Sequence, residues 1–101
     1  MPSGYLRLWH RKSSASVASN YNNIGVIHDR LGNYKTALDF YLKAININKT
    51  VFDIKNPELA TNYNNIGTLY LSQGNNNEAL KYFQLGLISN LTDFNNNTVI
   101  N

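Results

Sequence analysis

The chain has 101 residues, enough for one domain with a modest core; 43% are hydrophobic and only 15% charged. It has no cysteine, which excludes disulfide frameworks, Cys-ligated zinc and thiol nucleophiles. The formal charge of +3 comes from one end: Arg7, Arg11 and Lys12 open the chain with no acid among them, and the remaining bases and acids balance. A nucleic-acid binder usually carries a basic stripe on its folded body, so nucleic acid is not an expected partner. No apolar run approaches the roughly 18 residues of a membrane span. The N-terminal bases lack the apolar stretch of a secretory signal, so a cytoplasmic protein with no membrane partner is expected.

In chain order, residues 1–15 form a basic segment, read as the end of a preceding helix. Residues 16–57 are a first repeat unit with its connection. Ala18, Tyr21, Ile24, Gly25 and His28 follow the three-and-four spacing of one helix face. Gly32 is placed for a left-handed C-terminal cap, and Asn33 for the N-cap of a second helix. That helix shows Tyr34, Ala37, Leu38, Tyr41, Ala44, Ile45 and Asn48 at helical spacing. Asn56, Pro57 and Glu58 then supply a cap, a first-turn proline and a first-turn acid.

Residues 58–90 repeat the plan. Asn20-Tyr21-Asn22-Asn23-Ile24-Gly25 recurs as Asn62-Tyr63-Asn64-Asn65-Ile66-Gly67, a shift of 42 residues. The same shift carries Ala18 to Ala60, Gly32 to Gly74, Asn33 to Asn75, Ala37 to Ala79 and Leu38 to Leu80. It pairs His28 with Tyr70, Phe40 with Tyr82, Tyr41 with Phe83 and Ala44 with Gly86. Gly25 and Gly67 stand mid-helix, where glycine costs about 1 kcal/mol against alanine, so a close approach is expected at both. Residues 91–101 are an Asn-rich tail.

These residues resemble the tetratricopeptide repeat, most closely its forty-two-residue variety found in kinesin light chains. The marks are Tyr-Asn-Asn-Ile-Gly, the Gly-Asn turn, and Ala-Leu before an aromatic pair. His28, Gly86 and Asn76 depart from the pattern. The resemblance implies an all-α fold, two stacked helix hairpins of a right-handed α-solenoid. Because stable arrays usually have at least three repeats, the reading favours a piece of a longer array over a short chain that self-associates through its open ends.

The resemblance also implies a concave groove lined by the first helices. On a helical wheel the arc opposite the core holds Ser19, Asn22, Val26, Asp29 and Arg30, flanked by Asn23. Copy two gives Thr61, Asn64, Thr68, Leu71 and Ser72, flanked by Asn65. Asparagine offers both a donor and an acceptor to an extended backbone. Arg30 is the one base on this arc, which argues against recognition of an acidic chain terminus. The expected function is therefore a non-catalytic scaffold that holds a peptide or partner helix. The alternative is a structural spacer acting through its open ends.

No catalytic, cofactor or metal site is expected. His28 aligns with Tyr70 and reads as a packed aromatic substitute. No histidines stand at i, i+4, no acidic loop has calcium spacing, and no nucleophile–base pair can be named.

Overall fold

The computed structural model describes the backbone of residues 2–51 and 57–98, and the side chains of residues 14–49 and 57–90. Four helices follow one another: α1 (Pro2–Arg30), α2 (Tyr34–Val51), α3 (Pro57–Ser72) and α4 (Asn76–Thr98). α1 pairs with α2 and α3 with α4 as two hairpins, and α2 packs against α3 to join them. The fold is all-α, as the periodicity predicts.

Both hairpin turns have the same chemistry. Gly32 and Gly74 take φ of 82° and 79°, the left-handed region where a side chain is strained. The N–H of Asn33 donates to the carbonyl of His28 at 2.8 Å, and that of Gly32 to Asp29 at 3.0 Å. Asn75 to Tyr70 (2.9 Å) and Gly74 to Leu71 (3.0 Å) repeat the pattern. These paired bonds satisfy carbonyls that a helix end leaves open. Asn75 Oδ1 accepts from the N–H of Glu78 at 3.4 Å, so this asparagine caps α4. Asn33 differs: its amide reaches His28 Nδ1 at 3.3 Å instead. The expected cap at Asn56 lies outside the described residues.

The mid-helix glycines have the packing reason expected of them. A Cβ on Gly25 would stand 2.6 Å from Cε1 of Tyr41 and 3.2 Å from the carbonyl oxygen of Ala37. On Gly67 it would stand 2.7 Å from Cε1 of Phe83. Tyr41 is only 1% exposed and is packed in the core, so its ring cannot yield without disturbing its neighbours. Gly25→Ala is therefore expected to destabilise by up to about 2 kcal/mol, since overpacking of about 1–3 kcal/mol is set against alanine's gain of about 1 kcal/mol in a helix. A thermal melt followed by circular dichroism checks the sign; a higher midpoint would mean that the ring yields.

The aromatic positions repeat in space as in sequence. His28 stacks on Phe40 at 5.8 Å between centroids and 2° between planes, and Tyr70 on Tyr82 at 5.6 Å and 17°. Tyr21 leans on Phe40 and Tyr63 on Tyr82 in the same way. His28 thus fills the place of an aromatic ring. Lys43 adds its ammonium over Phe40, 4.9 Å from the ring centre.

Three expectations need correction. Ile24 is not a core residue: it is 37% exposed, whereas its counterpart Ile66 is 0% exposed. Ile66 is covered because α3 packs against α2 of the preceding hairpin, and among the described residues no helix packs on the outer side of α1. The basic segment is not a separate element either; residues 2–15 continue α1 without a break. Likewise residues 91–98 continue α4.

Candidate functional site

The inter-hairpin core consists of Ala37, Tyr41 and Ile45 from α2 against Leu59, Ile66 and Leu69 from α3. Beside it run four asparagines. Asn48 and Asn62 are buried, and Asn48 Nδ2 donates to Asn62 Oδ1 at 2.6 Å. Asn62 Nδ2 donates to Asn22 Oδ1 at 3.3 Å, and Asn65 Nδ2 to the same oxygen at 2.9 Å. The chain crosses from α2 through α3 to α1. Buried amides without partners would cost about 1–3 kcal/mol each, so this ladder fixes how the hairpins meet.

The helices α1 and α3 barely touch. The ladder bridges the gap between them and stands between two hollows. One, of about 350 Å³, is lined by residues that include Ser19, Asn22, Asn48, Glu58 and Thr61. The other, of about 490 Å³, is lined by Val26, Asp29 and Arg30 of α1, Tyr34 and Tyr41 of α2, and Asn65, Thr68 and Ser72 of α3.

The structure therefore divides the residues expected on the groove. Val26, Asp29, Arg30, Asn65 and Thr68 meet in the larger hollow, and Ser19, Asn22 and Thr61 line the smaller one. Asn23, Asn64 and Leu71 line neither. Asn22 Oδ1 is committed to Asn62 and Asn65. Asn64 Oδ1 sits 2.6 Å from where a Cβ on Gly86 would be, so it leans on α4. Thr61 and Thr68 donate their hydroxyls back to the carbonyls of Pro57 (3.2 Å) and Asn64 (3.0 Å).

Tyr34 and Tyr41, expected at packed positions of α2, also line the larger hollow. The hydroxyl of Tyr41 has no hydrogen-bond partner among the described residues, although the side chain is buried and borders the hollow. Burial, then the charge of Asp29, push its pKa up to about 12, against the opposing pull of Arg30. It is a protonated donor at neutral pH. Asp29 is itself raised by burial, with Arg30 opposing. The sequence held a signal: Tyr41 aligns with Phe83, so the hydroxyl is peculiar to the first repeat. Among the described residues no cluster of His, Cys, Asp or Glu could hold a metal, and no helix is long and apolar enough to cross a membrane.

The model of the tetratricopeptide repeat family matches residues 16–87, both hairpins up to the middle of α4. The chain belongs to the tetratricopeptide repeat family. Its two hairpins are a segment of the family's right-handed α-solenoid. Repeats of this kind serve as protein–protein interaction scaffolds and are typically non-catalytic. A search of curated proteins and a search of solved structures each found no match.

Proposed function

We propose that the cleft between α1 and α3, over Tyr41, holds an extended peptide segment of a partner protein, as the kinesin-light-chain-like pattern of the repeats suggests. The observation that carries this reading is Tyr41, a buried residue that lines an open hollow of about 490 Å³ and whose hydroxyl has no hydrogen-bond partner among the described residues. A buried donor without an acceptor is a standing cost of folding. A peptide carbonyl entering the cleft supplies that acceptor. Val26 gives apolar contact, and Asp29 with Arg30 selects charge at one end.

The test starts from peptides selected on the immobilised protein out of a random-sequence display library. Binding of a selected peptide is then measured by fluorescence anisotropy. Tyr41→Phe removes only the hydroxyl and is expected to leave the melting temperature unchanged or raised. It should weaken binding about fivefold, the worth of one net hydrogen bond of about 1 kcal/mol. Thr68→Arg, at an exposed position on the cleft wall, should weaken it more than about tenfold by filling the space. Selected peptides that bind both variants as tightly as the original would end this reading.

A further inference from the structure

The interface between the two hairpins has a template on each outer face of the molecule. α3 meets α2 through Leu59, Asn62, Ile66 and Leu69, all buried. Shifted back by one repeat, these become Val17, Asn20, Ile24 and Ile27 on α1, all exposed. The contrast is largest at Leu69, 1% exposed, against Ile27, 56% exposed. α2 offers Leu38, Tyr41, Ile45 and Asn48 to this interface. Shifted forward, they become Leu80, Phe83, Leu87 and Asn90 on α4. Ile45 is 6% exposed and Leu87 57%.

The polar ladder is duplicated as well. Its four members Asn48, Asn62, Asn22 and Asn65 map onto Asn90, Asn20, Asn64 and Asn23. All four are asparagine. Asn64 and Asn90 stand on the α3–α4 hairpin, and Asn20 and Asn23 on α1. All four side chains are exposed. Neither stripe contains a charged residue.

We infer that the α1 face of one molecule docks on the α4 face of a second copy, continuing the internal stack with the same 42-residue register. In this arrangement Asn90 donates to Asn20 of the second copy, and Asn20 and Asn23 of that copy donate to Asn64. Asn64 leaves Gly86 to accept them. Val17, Ile24 and Ile27 cover Leu80, Phe83 and Leu87. The contact is heterologous: head and tail are different surfaces, so a dimer leaves one of each open and the assembly grows past it. This lies beyond the cleft reading and uses other faces, so either can fail alone.

The experiment is sedimentation velocity over a concentration series, with the wild type and two variants. The wild type should show an average mass that climbs with concentration past that of a dimer. Ile24→Asp blocks the head and Leu87→Asp the tail, each weakening the contact about a hundredfold by burying an unpaired charge. Alone, each variant should stay monomeric. Mixed, they should form a dimer and nothing larger, because each retains the face that the other lacks. Ile27→Asp and Leu80→Asp, both at exposed positions, form a second pair, and circular dichroism confirms that all four variants fold. A wild type that stays monomeric overturns the inference. So does a wild type that stops at dimer, or a mixture of folded variants with no dimer.

Discussion

Ile66→Ala should cost about 3 kcal/mol, whereas Ile24→Ala, the same substitution one repeat earlier, should cost less than about 1 kcal/mol. The two isoleucines occupy the same place in the same hexapeptide. They differ in what covers them. Ile66 is enclosed in the core with Tyr41, Ile45 and Leu69, so truncation loses transfer free energy and leaves a cavity between hairpins. Ile24 stands on the outer face of α1 and is already partly hydrated. For a domain of this size the first change corresponds to a fall in midpoint of about 12–24 °C, the second to a few degrees. Urea melts on both variants at a concentration where the protein is monomeric check the contrast. Equal costs would mean that the hairpins do not stack as described.

Asn62→Ala should destabilise by about 2 kcal/mol, a large effect for removing a polar side chain. Asn62 is buried, accepts from Asn48 at 2.6 Å and donates to Asn22 at 3.3 Å. Its loss strands the amide of Asn48 away from water, and that desolvation is the main cost. Asn48→Ala should cost nearly as much for the same reason. The double substitution should cost clearly less than the sum, because neither partner is then left behind. A double-mutant cycle reads this as a coupling of about 1 kcal/mol or more between residues of different hairpins. Strict additivity would show that the two amides do not depend on each other.

The parts of this architecture legible in the sequence are those decided by local chemistry. Gly32 and Gly74 end helices because only glycine takes positive φ freely, and they do so wherever the hairpin sits. Gly25 and Gly67 announce a close approach through their cost in a helix. The 42-residue shift places His28 and Tyr70 on equivalent stacks, since identical spacing yields identical faces. Other features depend on neighbours that periodicity does not specify. Ile24 and Ile66 are the same residue in the same local setting, and only the adjoining hairpin distinguishes them. Asn48 and Asn62 were hard to mark as buried because asparagine is mostly an exposed residue and this chain holds eighteen. Their burial follows from mutual pairing across the interface.

The candidate cleft was legible in outline and not in detail. The wheel placed Val26, Asp29, Arg30, Asn65 and Thr68 on one arc, and they do line one hollow. It assigned Asn22 and Asn64 to a ligand. Asn22 is instead tied to its neighbours across the interface, and Asn64 leans on α4. A wheel treats each helix alone, so it cannot tell a groove face from a face bridged by the next helix. Tyr41 escaped notice for the converse reason. Its side chain packs in the core, and yet the residue also lines the hollow.

The most direct test of the cleft is chemical-shift mapping of the isotopically labelled protein with one display-selected peptide. Perturbations should concentrate on the backbone amides of Val26, Asp29, Arg30 and Thr68 and on the side-chain amide of Asn65. The α4 residues Lys81, Gln84 and Ile88 should stay still. Perturbations centred on α4, with the cleft amides unmoved, would contradict the assignment of the peptide site to the cleft over Tyr41.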